Sequence, residues 1–81
     1  MVTKKAIEAL ENHDEYKQLK NAASKLKPGA EVGFFLDPQD AKKLGFRSVK
    51  QAAVCAAKRL PNAIAHDTST TDVWFVRVRS A

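Results

Sequence analysis

The helix punctuation between residues 37 and 61 constrains this chain more than any other feature. Asp37-Pro38-Gln39-Asp40 reads as a helix start. Asp37 can cap, Pro38 suits a first turn in which its missing N–H is no loss, and Asp40 sits near the positive end. Gly45 is a natural left-handed terminator, so the helix through Ala41-Lys42-Lys43-Leu44 is short. Ser48-Val49-Lys50-Gln51 then reads as a capping box, in which Ser48 and Gln51 satisfy each other's backbone donors. It opens a second helix over residues 49–60, ended by Pro61, with an apolar stripe of Val49, Ala53, Ala56 and Leu60. The alanines allow close approach to neighbouring elements.

Helix precedes this region and strand flanks it. Residues 4–26 carry a helical pattern with a flaw: Tyr16, Leu19, Ala23 and Leu26 share one face, while Ile7 and Leu10 fall nearly opposite. Asn12, His13 and Asp14 are poor helix-interior residues, so a break is expected near Asn12, with the main helix starting around Asp14 and stopped by Pro28-Gly29. Residues 30–36 alternate as a strand, with Val32, Phe34 and Leu36 on one face and Glu31, Gly33 and Phe35 on the other. A hairpin closes the chain, its arms at 63–67 and 72–79 and its polar tip at 68–71. In the last arm Trp74, Val76 and Val78 share a face, and Val73, Phe75, Arg77 and Arg79 share the other.

The order is helix, strand, short helix, turn, longer helix, strand, tip, strand: an α+β fold. It resembles the winged helix-turn-helix family of DNA-binding domains over residues 14–79, with residues 40–46 as first helix and turn, the helix carrying Lys50 to Arg59 as recognition helix, and the hairpin as wing. The basic, alanine-rich helix before a short hairpin is also faintly similar to small accessory proteins of bacteriophages. One departure stands out. Such motifs place a buried aliphatic about six residues after the turn glycine, where this chain has Gln51, and Val49 comes two residues early. The alternative drops the turn and makes residues 38–60 one bent helix on a three-stranded antiparallel sheet packed by helices.

At 81 residues the chain is read as a single domain with a thin core, its first 13 residues a separate N-terminal helix and 14–79 the core. Ile7 and Leu10 either fold back onto that core or pair two copies, leaving monomer and homodimer both open. Nothing at the start reads as a signal peptide, and no run nears the ~20 apolar residues of a membrane span. A lone cysteine, Cys55, cannot form an internal disulfide, so a reducing cytoplasmic setting is expected. No P-loop, dinucleotide fingerprint or nucleophile elbow is present, and His13 and His66 show no metal spacing. The expectation is a non-enzyme without metal or cofactor.

Charge is the remaining signal. The net +5 is unevenly distributed: residues 30–41 carry −3, while residues 42–66 hold six cations and no acid. Such a segment is either a solvated helix surface or a footprint for a polyanion. Lys42, Lys43, Lys50, Lys58 and Arg59 would hold phosphates, while Arg47 and Gln51 could read base edges. Arg77 and Arg79 share a strand face with Phe75, a combination that can stack bases and grip phosphates. The stronger expectation there is that the first helix covers this face and buries Phe35 and Phe75. The tip hydroxyls of residues 68–71 are a weak phosphate contact. The function expected is nucleic-acid binding, chiefly duplex DNA, with RNA as the variant, in a regulatory or phage accessory role. The alternative is a non-enzymatic inhibitor or adaptor that docks the same basic face on an acidic host protein.

Overall fold

A computed structural model describes residues 2–69 and 72–80. Helix α1 (Lys4–Glu11) begins where Thr3 Oγ1 accepts the Ala6 N–H at 3.1 Å. It ends at Asn12, and His13 turns extended before α2 (Asp14–Ala23), so the break falls where the poor helix formers stand. Strand β1 (Glu31–Leu36) follows.

The mid-chain punctuation is expressed nearly residue for residue. Asp37 Oδ1 accepts the Asp40 N–H at 2.8 Å and Asp40 Oδ2 accepts the Asp37 N–H at 3.3 Å, a reciprocal box that starts α3 (Pro38–Leu44). Gly45 sits in the left-handed region at φ 93° and ends it. Ser48 Oγ accepts the Gln51 N–H at 3.1 Å and starts α4 (Val49–Lys58). Residues 38–60 are therefore two helices and not one bent helix, while the three-stranded antiparallel sheet packed by helices that went with the alternative is the architecture present. Helix α4 also stops at Lys58, short of the expected 60, although Leu60 is still buried.

Strands β2 (Ala63–Asp67) and β3 (Trp74–Arg79) complete a three-stranded antiparallel sheet of order β1-β3-β2. Thr70 and Thr71 of the tip lie outside the described residues. In register, Phe34 faces Val76 and Ala65 faces Val76 from the other side. The core forms on this face, where Phe34, Leu36, Val76 and Val78 meet Leu10, Tyr16, Leu19, Ala52, Ala53 and Ala56. Alanines at 52, 53 and 56 are fully buried and bring α4 close against the sheet.

The N-terminal helix joins the same core. Ala6 and Leu10, four residues apart, form its inward stripe, and Ile7 is only half-buried. An Ile7–Leu10 dimer seam is thus unavailable, because Leu10 is fully buried within the chain. No helix among the described residues is long and apolar enough to cross a membrane.

Candidate nucleic-acid interface

The nine cationic and polar residues singled out in the sequence divide between two sides of the molecule. Seven lie on the helical side. Helix periodicity turns Val49, Ala52, Ala53 and Ala56 of α4 onto the sheet, which leaves Lys50 and Lys58 exposed on the far side. Lys42 and Lys43 are exposed on α3 between buried Ala41 and Leu44, and Arg47 is exposed in the turn. Arg77 and Arg79 alternate with buried Val76 and Val78, so they stand on the sheet face away from the helices.

On the helical side the residues follow the α3–turn–α4 edge. Lys42 and Arg47 line one depression, shared with Asp72 of the hairpin. Gln51 and Lys58 line a second, of about 350 Å³, with Val2, Val54, Cys55 and Arg59. Gln51 links the two, since its Oε1 accepts the Arg47 N–H at 2.9 Å. This corrects the expected box, in which Gln51 was to reach back to the Ser48 amide; the side chain reaches one residue further. One lone pair of its acceptor is thereby occupied.

Acids claim three of the nine. Arg59 pairs with Glu11 of α1. Glu31 Oε2 takes both Arg77 Nη1, at 3.4 Å, and Arg79 Nε, at 3.3 Å. Lys42, Lys43, Arg47, Lys50 and Lys58 make no ion pair among the described residues. Five cations of the helical side, Lys42, Lys43, Arg47, Lys50 and Lys58, are thus exposed and outside these ion pairs, with Arg77 and Arg79 on the other sheet face.

The second side holds the largest departure from expectation. Helix α2 packs Tyr16 and Leu19 into the core on the Phe34 face and does not cover the opposite face. Phe35 is 59% exposed and Ile64 51% exposed. The helices cover the face that carries Val32, Phe34 and Leu36 against Val76 and Val78; the opposite face sets Glu31, Arg77 and Arg79 among Phe35, Phe75 and Ile64, and burying it would desolvate those charges. On the open face Phe35 and Phe75 are register partners with ring centroids 4.8 Å apart, and His66 stacks near-parallel on Phe75 at 6.4 Å. Sequence reasoning did not single out Ile64 and His66 for this face, though β2 alternation against Phe75 was the available signal.

Two further groups bear on chemistry. Burial pushes the Cys55 thiol up, against the opposing pull of Lys58, so it stays protonated at neutral pH. A protonated thiol is a poor nucleophile. His13, Glu15 and Asp40 bring their ligand atoms within 4.8 Å of one another at the starts of α2 and α3. Residues 27 positions apart in sequence gave no spacing signal for that meeting. Asp40 is engaged in the α3 capping box and Glu15 stands at the positive end of α2, 3.9 Å from His13 Nε2, while the His13 side chain makes no cap hydrogen bond.

Comparison with protein-family models, with curated protein sequences and with solved structures gives no match to this chain.

Proposed function

We propose that this chain is a small, non-enzymatic nucleic-acid-binding protein that takes duplex DNA against its α3–turn–α4 surface. The observation that carries the reading is the set of five exposed cations along α3, the turn and α4, Lys42, Lys43, Arg47, Lys50 and Lys58, which form no ion pair among the described residues. Unpaired ammonium groups on a surface gain most from phosphates, because each phosphate neutralised releases condensed counterions. The strand order β1-β3-β2, with the hairpin directly after α4, supports the winged-helix likeness. Base preference falls to the exposed Arg47 guanidinium and to the Gln51 amide, which is oriented by accepting the Arg47 N–H and keeps its NH2 donors and a second lone pair. A regulatory or accessory role in the cytoplasm suits such a module.

Gel shifts with duplex DNA, single-stranded DNA and RNA at two salt concentrations test this. Duplex should be retained through the helical side and should weaken steeply as salt rises. Duplex binding that is absent at low salt would dismiss the assignment.

A further inference from the structure

The open face of the sheet is organised in rows across the strands. One row is Phe35 of β1, Phe75 of β3 and His66 of β2, three rings side by side. The next is Gly33, Arg77 and Ile64. The last sets Glu31 beside Arg79. An aromatic row next to a cationic row is the chemistry that takes unpaired bases: rings stack the bases and guanidiniums meet the phosphates.

We propose that this face is a second site, which stacks one or two unpaired bases of a single-stranded nucleic acid on Phe35 and Phe75. It is separate from the helical surface and does not depend on duplex binding there. Phe35 is the accessible platform, more than half exposed on a strand that is otherwise well ordered by pairing to β3. Phe75 is half-buried and held in place beside it.

Charge selects the occupant. A single Glu31 carboxylate oxygen serves two guanidiniums at 3.3 and 3.4 Å, long for charge-assisted bonds that run near 2.7–2.9 Å. The face therefore holds a surplus cation and loosely engaged donors, which a phosphate can take over. A second copy of this chain brings the same net +5 and, on this face, one Glu31 for two arginines, so pairing two such faces leaves the cationic surplus unneutralised. Among polyanions, the exposed rings favour the one that presents unstacked bases.

Fluorescence anisotropy with labelled oligonucleotides of about ten nucleotides, within the site sizes of such platforms, provides the test. The probes are oligo(dT), oligo(U), an abasic strand of equal length and a duplex. Oligo(dT) or oligo(U) should bind, and the abasic strand should bind clearly more weakly. Phe35→Ala should weaken the base-bearing strand at least about fivefold, the lower end for loss of one stacked base, and leave the duplex unchanged. Phe35→Trp should restore binding. Phe35 is exposed enough that the alanine variant should keep its fold, which circular dichroism checks. Equal affinity of wild type and Phe35→Ala for the strand, or equal affinity for abasic and normal strands, overturns the proposal. So does a dimer in sedimentation that Phe35→Ala dissolves without any strand binding, which would give the face to a second copy. The Lys50→Ala/Lys58→Ala variant separates the two surfaces: it should weaken duplex binding while keeping the Phe35-dependent single strand.

Discussion

The ring of Phe75 lies over Gly33, filling the space in which a side chain at residue 33 would stand. A β-carbon built there falls 2.3 Å from Phe75 Cζ and 2.6 Å from the Val76 carbonyl oxygen. The glycine is thus required by close approach within the sheet. Because the oxygen belongs to the backbone of the central strand, a shift of the ring alone cannot relieve the clash. Gly33→Ala should destabilise by about 1–3 kcal/mol, the range for overpacking, and should disturb the Phe35–Phe75 contact. Urea denaturation measures the first effect and aromatic NMR shifts the second.

Gly45 presents the opposite situation. Its β-carbon would meet only Ala6 Cβ, at an ordinary 3.8 Å, but its φ of 93° is unfavourable for side-chain-bearing residues. Gly45→Ala should therefore lose about 1–2 kcal/mol from backbone conformation alone, and Gly45→Asn should lose less. Thermal melts of the two variants side by side check the ranking.

Leu10 and Ile7 should respond very differently to truncation, although both are aliphatic residues on α1. Leu10 is fully buried in the common core, and Leu10→Ala should destabilise by about 2–5 kcal/mol. Ile7 is half-buried, and Ile7→Ala should have a clearly smaller effect. Equal effects in denaturant titration would mean that α1 does not belong to the core.

Tyr16 ties stability to alkaline pH. Burial first, and the neighbouring Cys55 second, raise its pKa above the ordinary 10.0. The folded state thus holds the phenolic proton more tightly than the unfolded chain does. Its stabilising contribution is complete below the unfolded value and is lost as pH rises through the folded one. Cys55, raised above 9.0 by burial, acts in the same direction. Stability should fall once pH passes about 9 to 10, and Tyr16→Phe should flatten part of that fall. Urea midpoints across neutral to alkaline pH measure it.

The helical surface predicts a salt signature. If Lys50 and Lys58 each hold one phosphate, Lys50→Ala/Lys58→Ala should reduce the slope of log affinity against log salt by about 2. Glu11→Gln frees the Arg59 guanidinium and should raise duplex affinity. An unchanged slope in the double lysine variant would move the footprint elsewhere.

The sequence by itself determined the local events. Asp37, Pro38, Gly45 and Ser48 mark helix ends through interactions spanning three or four residues, and those were legible because the partners are near in the chain. Strand alternation was legible for the same reason, including that Phe35, Phe75, Arg77 and Arg79 point one way. Only the tertiary structure decided which sheet face the helices cover. An amphipathic helix must bury its stripe, yet its periodicity does not say against what; the helices took the apolar Phe34–Val76 face and left Phe35 in the open beside Glu31, Arg77 and Arg79. The ion pairs were equally invisible. Glu11 meets Arg59 and Glu31 meets Arg77 across 48 and 46 residues, distances over which charge type alone specifies no partner. The cations of the candidate surface are those that folding left outside any ion pair among the described residues.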